Sequence, residues 1–258
     1  MTGSGRPATF HVRALGATVG VDVPDDRLRP LARVAWSMSS VRPVAGAPVV
    51  SAPGLEDSAG PDDVAQALQA LTQSVTRAAI AARTGQLMMF HAGGLCDQVS
   101  GATVALVAPG GTGKTTLVRT LGPGRGYVSD ETVGVTADGH VEPYCKPLSV
   151  RRPDTGQPKD EVAPESLGLC PPQVRPWLAG MVLLRRDLQA GETVRVEPVE
   201  LLDALVLLAP ETSALATFDR PLRRLADLVE SAGGLRRVRY HDAADLEPVV
   251  REVLGRSR

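Results

Sequence analysis

The sequence predicts an α/β fold in which a phosphate-binding loop joins a buried strand to a helix, within a mixed, partly antiparallel sheet. Three observations lead to this prediction. The continuous apolar run ATVALVA, at 102–108, is typical of a fully buried strand. It runs directly into the glycine-rich stretch PGGTGKTT and then into a helical pattern. Further on, Asp138-Gly139 separates two alternating segments and indicates a hairpin, which adds antiparallel strands to the sheet.

The composition is that of a globular protein with a small-residue core. Of the 258 residues 43% are hydrophobic but only 3% are aromatic, so Ala, Val and Leu must fill most of the interior. The formal net charge of -1 argues against nucleic acid or an anionic membrane as the main partner. We expect a cytoplasmic protein without a membrane partner, since no signal segment, no apolar run of about 18 residues and no CxxC pair occurs.

The N-terminal segment predicts a small α+β subdomain. It contains two short strands around a turn at Gly16 and a helix that Pro30 would disturb, with predicted ranges 9–15, 17–23 and 25–36. The segment 41–61 is rich in Pro, Gly, Ala and Ser, which is typical of a linker or of a strand with long loops. We therefore predict a first domain over 1–60 and a phosphate-loop domain over 61–258.

The predicted elements of the second domain alternate between helices and strands. The first helix is capped by Asp62, carries apolar residues at three- and four-residue steps and ends at Gly85. HAGGLCDQVSG, at 91–101, is predicted to be a turn, and 152–176 a proline-rich loop. The last helix has Asp245 as its predicted N-cap. Further helices are predicted at 113–121, 199–208, 221–231 and 246–254, and strands at 86–90, 102–108, 127–129, 146–150, 179–184, 194–196 and 236–240.

The stretch PGGTGKTT has the residue types that a phosphate-binding loop requires. Glycines let backbone N–H groups point at phosphate oxygens, and the following helix directs its positive end at the same place. A lysine can then reach the β- and γ-phosphates, and the adjacent hydroxyl can bind Mg²⁺. Ala108 stands where the loop pattern has its first glycine, and the alternative is a glycine-rich turn without a ligand. The predicted nucleotide-binding residues are Gly110, Gly111, Thr112, Gly113, Lys114, Thr115 and Thr116.

Two acidic residues follow the next predicted strand. Asp130 and Glu131 come directly after Tyr127–Ser129, at the end of a strand, where an open α/β sheet places its site. One carboxylate can orient Mg²⁺, and the other can take a proton from an attacking hydroxyl. The alternative is a solvated acidic turn.

Three segments together carry a resemblance to a known family. HAGG at 91–94, GGTGKTT at 110–116 and YVSDETVGV at 127–135 resemble the HPr kinase/phosphorylase superfamily. The loop is also similar to that of the ATP-dependent phosphoenolpyruvate carboxykinases, whose nucleotide-binding core is related. The resemblance covers about His91 to Val135 and implies a core like the C-terminal domain of HPr kinase, with ATP and Mg²⁺ as ligands.

The resemblance also implies a role for each site residue. Lys114 would bind the phosphates, Thr115 would bind Mg²⁺, and Asp130 would act as base toward a serine hydroxyl. Glu131 replaces an aspartate of the metal shell. His91 would orient the acid or stabilise developing charge; the alternative is a strand-end histidine bonded to backbone. The implied catalytic residues are thus Asp130, His91 and Lys114, and the metal residues Thr115 and Glu131.

Several questions stay open on the sequence alone. The family's second arginine- and glycine-rich signature is absent, and PYCKPLSVRRP occupies its region. Lys146 and Arg151 there could serve the transferred phosphoryl group or be surface cations, and Arg185 or Arg186 could face the site. We expect an ATP-dependent kinase acting on serine of a protein or peptide, or on a small alcohol. The alternative is an ATP-binding accessory protein without phosphotransfer. The resemblance implies a tendency to form homo-oligomers.

Overall fold

The computed structural model describes residues 9–153 and 157–258. Its strands are β1 (Phe10–Ala14), β2 (Ala17–Asp22), β3 (Ser40–Val41), β4 (Val49–Ser51), β5 (Met88–Cys96), β6 (Ala102–Val107), β7 (Gly126–Ser129), β8 (Thr132–Val135), β9 (Val141–Glu142), β10 (Leu148–Val150), β11 (Asp160–Val162), β12 (Trp177–Arg186), β13 (Arg195–Val199), β14 (Thr212–Ser213) and β15 (Leu235–Tyr240). Its α-helices are α1 (Leu28–Ala35), α2 (Pro61–Arg83), α3 (Lys114–Leu121), α4 (Leu201–Leu208), α5 (Pro221–Ser231) and α6 (Glu247–Leu254).

The chain divides into two compact units that are discontinuous in sequence. The first unit contains Met1–Arg83 and Tyr144–Leu167, and the second contains Thr84–Pro143 and Gly168–Arg258. This division differs from the sequence-based boundary near residue 60. Helix α2, which the sequence predicts to lie in the second domain, packs on β2, β4 and β11 of the first unit. No helix in the described ranges has the length and apolar content needed to cross a bilayer.

The first unit is built on a small sheet with strand order β3-β1-β2-β4. Strands β1 and β2 form a hairpin in which Leu15 and Gly16 both have positive φ, the conformation that a tight two-residue turn requires. The segment predicted as a linker or as a strand with long loops contains β4, so the second alternative is confirmed. Lys146 is only 1% exposed, so the alternative that it is a surface cation is wrong.

The second unit contains a sheet of nine strands that is partly parallel and partly antiparallel. Its central order is β13-β15-β12-β6-β5-β8-β9, with β7 and β14 also paired to β5. Strands β6, β12 and β15 run parallel, whereas β5 runs antiparallel to β6. The prediction of an α/β protein with a mixed sheet is confirmed. Strand β6 lies between β12 and β5, so the loop that follows β6 emerges from the middle of the sheet, at the carboxyl ends of the parallel strands.

Strand β5 is longer than the sequence suggested. It runs through Cys96, so the predicted turn at 91–101 is wrong for its first six residues, and a turn occupies only the remainder. Gly93 and Gly94 have a packing role here. A Cβ on Gly93 would lie 3.1 Å from Val118 Cγ2, and one on Gly94 would lie 2.9 Å from Val133 Cγ2. The glycines therefore allow α3 and β8 to approach β5 closely.

The C-terminal helix begins differently from the prediction. Asp245 is not its N-cap, because a short 3-10 helix, Ala243–Leu246, precedes α6. Asp242 caps this 3-10 helix, and Asp245 completes a capping box by accepting from the Asp242 backbone N–H at 2.7 Å. The hairpin predicted around Asp138-Gly139 is confirmed, with β8 and β9 antiparallel and Gly139 at positive φ.

Candidate functional site

The glycine-rich loop connects β6 to α3, as predicted. Gly111 has φ +83° and Gly113 has φ +100°, which only glycine adopts without strain. Within the described ranges, no protein atom accepts a hydrogen bond from the backbone N–H groups of Gly110, Gly111 or Gly113. Lys114 starts an eight-residue helix immediately afterwards. Unpaired amides next to a helix N-terminus are the elements of an anion-binding site.

Lys114 lies under this loop. Its side chain is buried, with the residue only 6% exposed, and Nζ donates to the carbonyl oxygens of Ala108 and, at 3.1 Å, Pro109. Burial lowers the pKa of Lys114 to about 8, although the charges of Glu211, Asp130 and Glu131 act in the opposite direction. Two loop carbonyls thus hold the ammonium group at the inner side of the loop, and a bound anion could accept its hydrogen bonds in their place.

Thr115 and Asp130 are in direct contact. The Thr115 hydroxyl donates to Asp130 Oδ2 at 2.8 Å, and the Tyr127 hydroxyl donates to Oδ1 at 3.2 Å. Asp130 is 4% exposed. It occupies the break between β7 and β8, which pair with different halves of β5. The structure therefore brings together the hydroxyl and the first carboxylate that the sequence singled out.

His91 lies on β5 beside the start of the loop. Its carbonyl accepts from the Ala108 N–H at 3.4 Å, and its Cε1 is 3.9 Å from the place of a Cβ on Gly110. The ring is 43% exposed. Burial and the charge of Lys114 lower the pKa of His91, while Glu211 and Glu131 act to raise it. A neutral, accessible imidazole therefore faces the loop at pH 7.

Glu131 is half-buried and lies near both Lys114 and His91. Its N–H donates to Ser129 Oγ at 3.1 Å, and its carbonyl accepts from the Ala92 N–H at 3.0 Å. These bonds fix the turn that follows β7. The carboxylate influences the pKa values of Lys114 and His91, so it belongs to the same cluster. The described residues contain no group of three His, Cys, Asp or Glu side chains arranged to hold a metal ion.

Glu211 is a site residue that sequence reasoning missed. Its carboxylate Oε2 lies 3.9 Å from His91 Nδ1, and its side chain is 15% exposed. It is placed there because β14 pairs antiparallel with β5, Thr212 opposite Phe90 and Ser213 opposite Met89. A single glutamate after a helix carries no motif, and only this long-range pairing reveals it.

A cleft borders the loop on the side of β12. It has a volume of about 540 Å³ and is lined by Pro109, Gly110, Gly111, Thr112, Leu184, Arg185, Arg186 and Asp187. Arg186 is held at the end of β15, since its Nε donates to the His241 carbonyl at 2.9 Å. The Arg185 side chain makes no hydrogen bond or ion pair within the described ranges. The structure therefore favours Arg185 as the arginine that a ligand could engage.

The remaining predicted residues are also located. Thr112 donates from its hydroxyl to the Pro109 carbonyl at 2.8 Å, which closes the loop on itself. Thr116 is exposed on the first turn of α3. Lys146 and Arg151 belong to the first unit, and the Lys146 Nζ donates to the Pro147 carbonyl at 2.9 Å.

Comparisons with known proteins leave the family open. No protein-family model matches the sequence, and no curated protein matches it. The resemblance to the HPr kinase/phosphorylase superfamily thus rests on the sequence of residues 91–135.

Proposed function

We propose that this protein is an ATP-dependent kinase that transfers the γ-phosphoryl group to a hydroxyl, with serine of a protein or peptide as the acceptor class. The observation that carries the proposal is the hydrogen bond between Thr115 and Asp130, next to a buried lysine at the start of a helix. A glycine-rich turn without a ligand gives no reason to bury an ammonium group and a carboxylate together, since burial of each is costly.

In this proposal the loop binds the triphosphate. The backbone N–H groups of Gly110, Gly111 and Gly113 would donate to phosphate oxygens, and the positive end of α3 would add to the attraction. Lys114 would exchange its two carbonyl acceptors for the β- and γ-phosphates. The unpaired Arg185 at the neighbouring cleft would meet a further part of the nucleotide.

Thr115 and Asp130 would hold Mg²⁺, which neutralises charge on the phosphates when bound. Magnesium sites at phosphates use one or two protein ligands together with phosphate oxygens and water, so these two side chains are a sufficient set. Asp130 then lies on the metal side, because Thr115 is its partner. Glu131 is the metal residue that the resemblance implies. Its charge acts on both Lys114 and His91, so its carboxylate would lie near the bound Mg²⁺ and phosphates.

The acceptor side follows from the remaining groups. His91, Glu131 and Glu211 lie toward β5, β8 and β14, on the other side of the loop from Arg185. A neutral hydroxyl that must lose a proton suits an imidazole and carboxylates, whereas an anionic acceptor would be repelled. Serine in a protein or peptide is chosen within the hydroxyl class because of the resemblance at 91–135.

Calorimetry with Mg-ATP tests the proposal. Lys114→Met should weaken ATP binding about 10- to 100-fold, because hydrogen bonds to charged groups contribute about 1.5–3 kcal/mol each. Lys159→Met, which removes a lysine of the first unit, is the matched control and should bind like wild type. Asp130→Asn should weaken the Mg²⁺ dependence of binding and lower turnover.

Two outcomes would contradict the proposal. Wild-type protein that takes up no Mg-ATP at millimolar concentrations would exclude a nucleotide site. ATP binding without ADP formation, across serine-containing peptides and small alcohols, would indicate the accessory protein instead of the kinase. ADP formed only in the presence of an acceptor, with phosphate recovered on its hydroxyl, is the expected result.

A further inference from the structure

The pair formed by His91 and Glu211 is the part of the site that no motif explains. His91 projects from β5, and Glu211 precedes β14, which pairs with the same strand. The carboxylate faces Nδ1 of the ring at 3.9 Å. Glu211 is mostly buried and the ring is partly open, so solvent or a substrate would reach His91 more easily than its partner.

The charges around the pair suit a proton acceptor. The ammonium of Lys114 on α3 favours the neutral ring, while Glu211 and Glu131, from the segment before β14 and the turn after β7, favour the protonated ring. A base must be neutral before the reaction and must be stabilised after it takes the proton. Burial and the charge of Lys114 keep the ring neutral before the reaction. The carboxylates of Glu211 and Glu131 stabilise the protonated ring that the reaction forms.

Asp130 is less suited to that task in this structure. Its two carboxylate oxygens accept hydrogen bonds from Thr115 and Tyr127, and it is 4% exposed. Both oxygens are already engaged by hydroxyl donors, and the proposed Mg²⁺ would occupy the same carboxylate, so Asp130 is poorly placed to contact an acceptor hydroxyl. The acceptor hydroxyl therefore needs another base near the loop, and His91 lies 3.9 Å from the Cβ position of Gly110.

We propose that His91 takes the proton of the acceptor hydroxyl and that Glu211, whose carboxylate lies 3.9 Å from Nδ1, is a positioning residue that acts through its charge on the ring. The inference rests on the proposed kinase function. As the acceptor oxygen bonds to the γ-phosphorus, the bond from that phosphorus to the β,γ-bridging oxygen breaks, and its electron pair leaves with ADP. The hydroxyl proton moves to Nε2 of His91, the negative charge of Glu211 beside Nδ1 stabilises the imidazolium, and the imidazolium then releases a proton to water.

Four variants test the pair. His91→Ala should lower kcat roughly 10²- to 10⁴-fold, the usual contribution of a general base. Glu211→Gln should lower kcat roughly 10- to 100-fold, as for other residues that orient a histidine. The double variant should be no slower than His91→Ala, because Glu211 acts through the ring. Glu230→Gln, an exposed glutamate of α5, is the matched control and should leave kcat unchanged.

Measurements other than rate separate positioning from general damage. In Glu211→Gln the NMR titration midpoint of His91 should move to lower pH, because the negative charge that raises the pKa of His91 is lost. Glu211→Asp keeps a carboxylate and should reverse part of this shift. The acid limb of kcat/KM should move in the same direction. ATP affinity at pH 7 should change less than about threefold, since Glu211 is not among the groups proposed to bind the phosphates.

The results would overturn the inference in either of two ways. An unmoved His91 titration in Glu211→Gln would exclude the pair. Additive losses in the double variant would show that Glu211 does not act through His91, and an acid limb of kcat that disappears in Asp130→Asn but persists in His91→Ala would assign the proton to Asp130. The NMR titration needs no turnover, so it tests the pair even if the protein binds ATP without transferring phosphate, which is the failure of the proposed function.

Discussion

Lys114 is the residue whose position is hardest to explain by stability alone. An ammonium group that is buried has a lowered pKa, which means that the fold disfavours its charged form. The loop carbonyls of Ala108 and Pro109 satisfy its hydrogen bonds, and three nearby carboxylates reduce but do not remove the cost of burial. A lysine kept at such a place is expected to meet an anion, since an added negative charge reverses the balance.

The same pKa predicts how nucleotide affinity depends on pH. The free protein loses the Lys114 proton as pH rises through about 8, whereas bound phosphates would restore the pKa toward its ordinary 10.5. Binding above the lower value therefore takes up a proton, and ATP affinity should fall by up to about tenfold per pH unit there. Calorimetry from pH 6.5 to 9.5 checks this. An affinity that stays constant across pH 8, or a Lys114→Met variant with the same pH dependence, would contradict it.

At the residue scale, the sequence predicted the loop better than its surroundings. Lys114 and Thr115 follow from motif spacing alone, because local geometry determines where a helix-start lysine and hydroxyl point. Asp130 follows from its position after a strand, and the contact with Thr115 joins it to the loop. Glu211 could not be predicted, since its place depends on the pairing of β14 with β5, which are distant in sequence.

At the element scale, strand β5 shows how one pattern can have two meanings. Adjacent glycines commonly mark a turn, and the sequence of the HAGG segment predicts one. In the structure the same glycines lie inside a buried strand, where α3 and β8 leave no space for a side chain. The distinction needs the neighbouring elements, which a local reading of the sequence does not contain. The helices α2, α3 and α5 were predicted closely because periodicity and end signals agree.

This packing predicts that Gly94 is sensitive to substitution. A Cβ at this position would lie 2.9 Å from Val133 Cγ2 and 3.1 Å from two atoms of Val128, all in the core. Gly94→Ala should therefore lower the free energy of unfolding by about 1–3 kcal/mol, the usual cost of overpacking. Gly54→Ala is the control, because nothing lies within 4 Å of its Cβ position. Urea denaturation checks both, and equal stabilities would show that β5 adjusts without cost.

At the scale of the whole molecule, the units do not follow the order of the chain. The sequence suggested a boundary where Pro, Gly and Ser accumulate, near residue 60, because such composition is typical of linkers. The first unit instead keeps α2 and takes in 144–167 from much later in the chain. Composition shows where the chain is irregular. Only long-range contacts show to which unit the elements on either side of an irregular segment belong.

This arrangement predicts that residues 61–258 alone do not form a well-packed protein. Removing the preceding part deletes β1 to β4, and α2 would lose β2 and β4 as partners while keeping β11. Its buried face includes Leu71, Val75 and Ala79, and exposure of such a stripe favours aggregation. The truncated chain should bind the dye ANS and elute as aggregates in size-exclusion chromatography, whereas the full chain should do neither.

In the full chain, Val75→Asp should reproduce the defect by burying a charge, and Gln73→Asp, on the exposed face of α2, should not. A monodisperse 61–258 fragment without dye binding would instead support an independent domain beginning at residue 61.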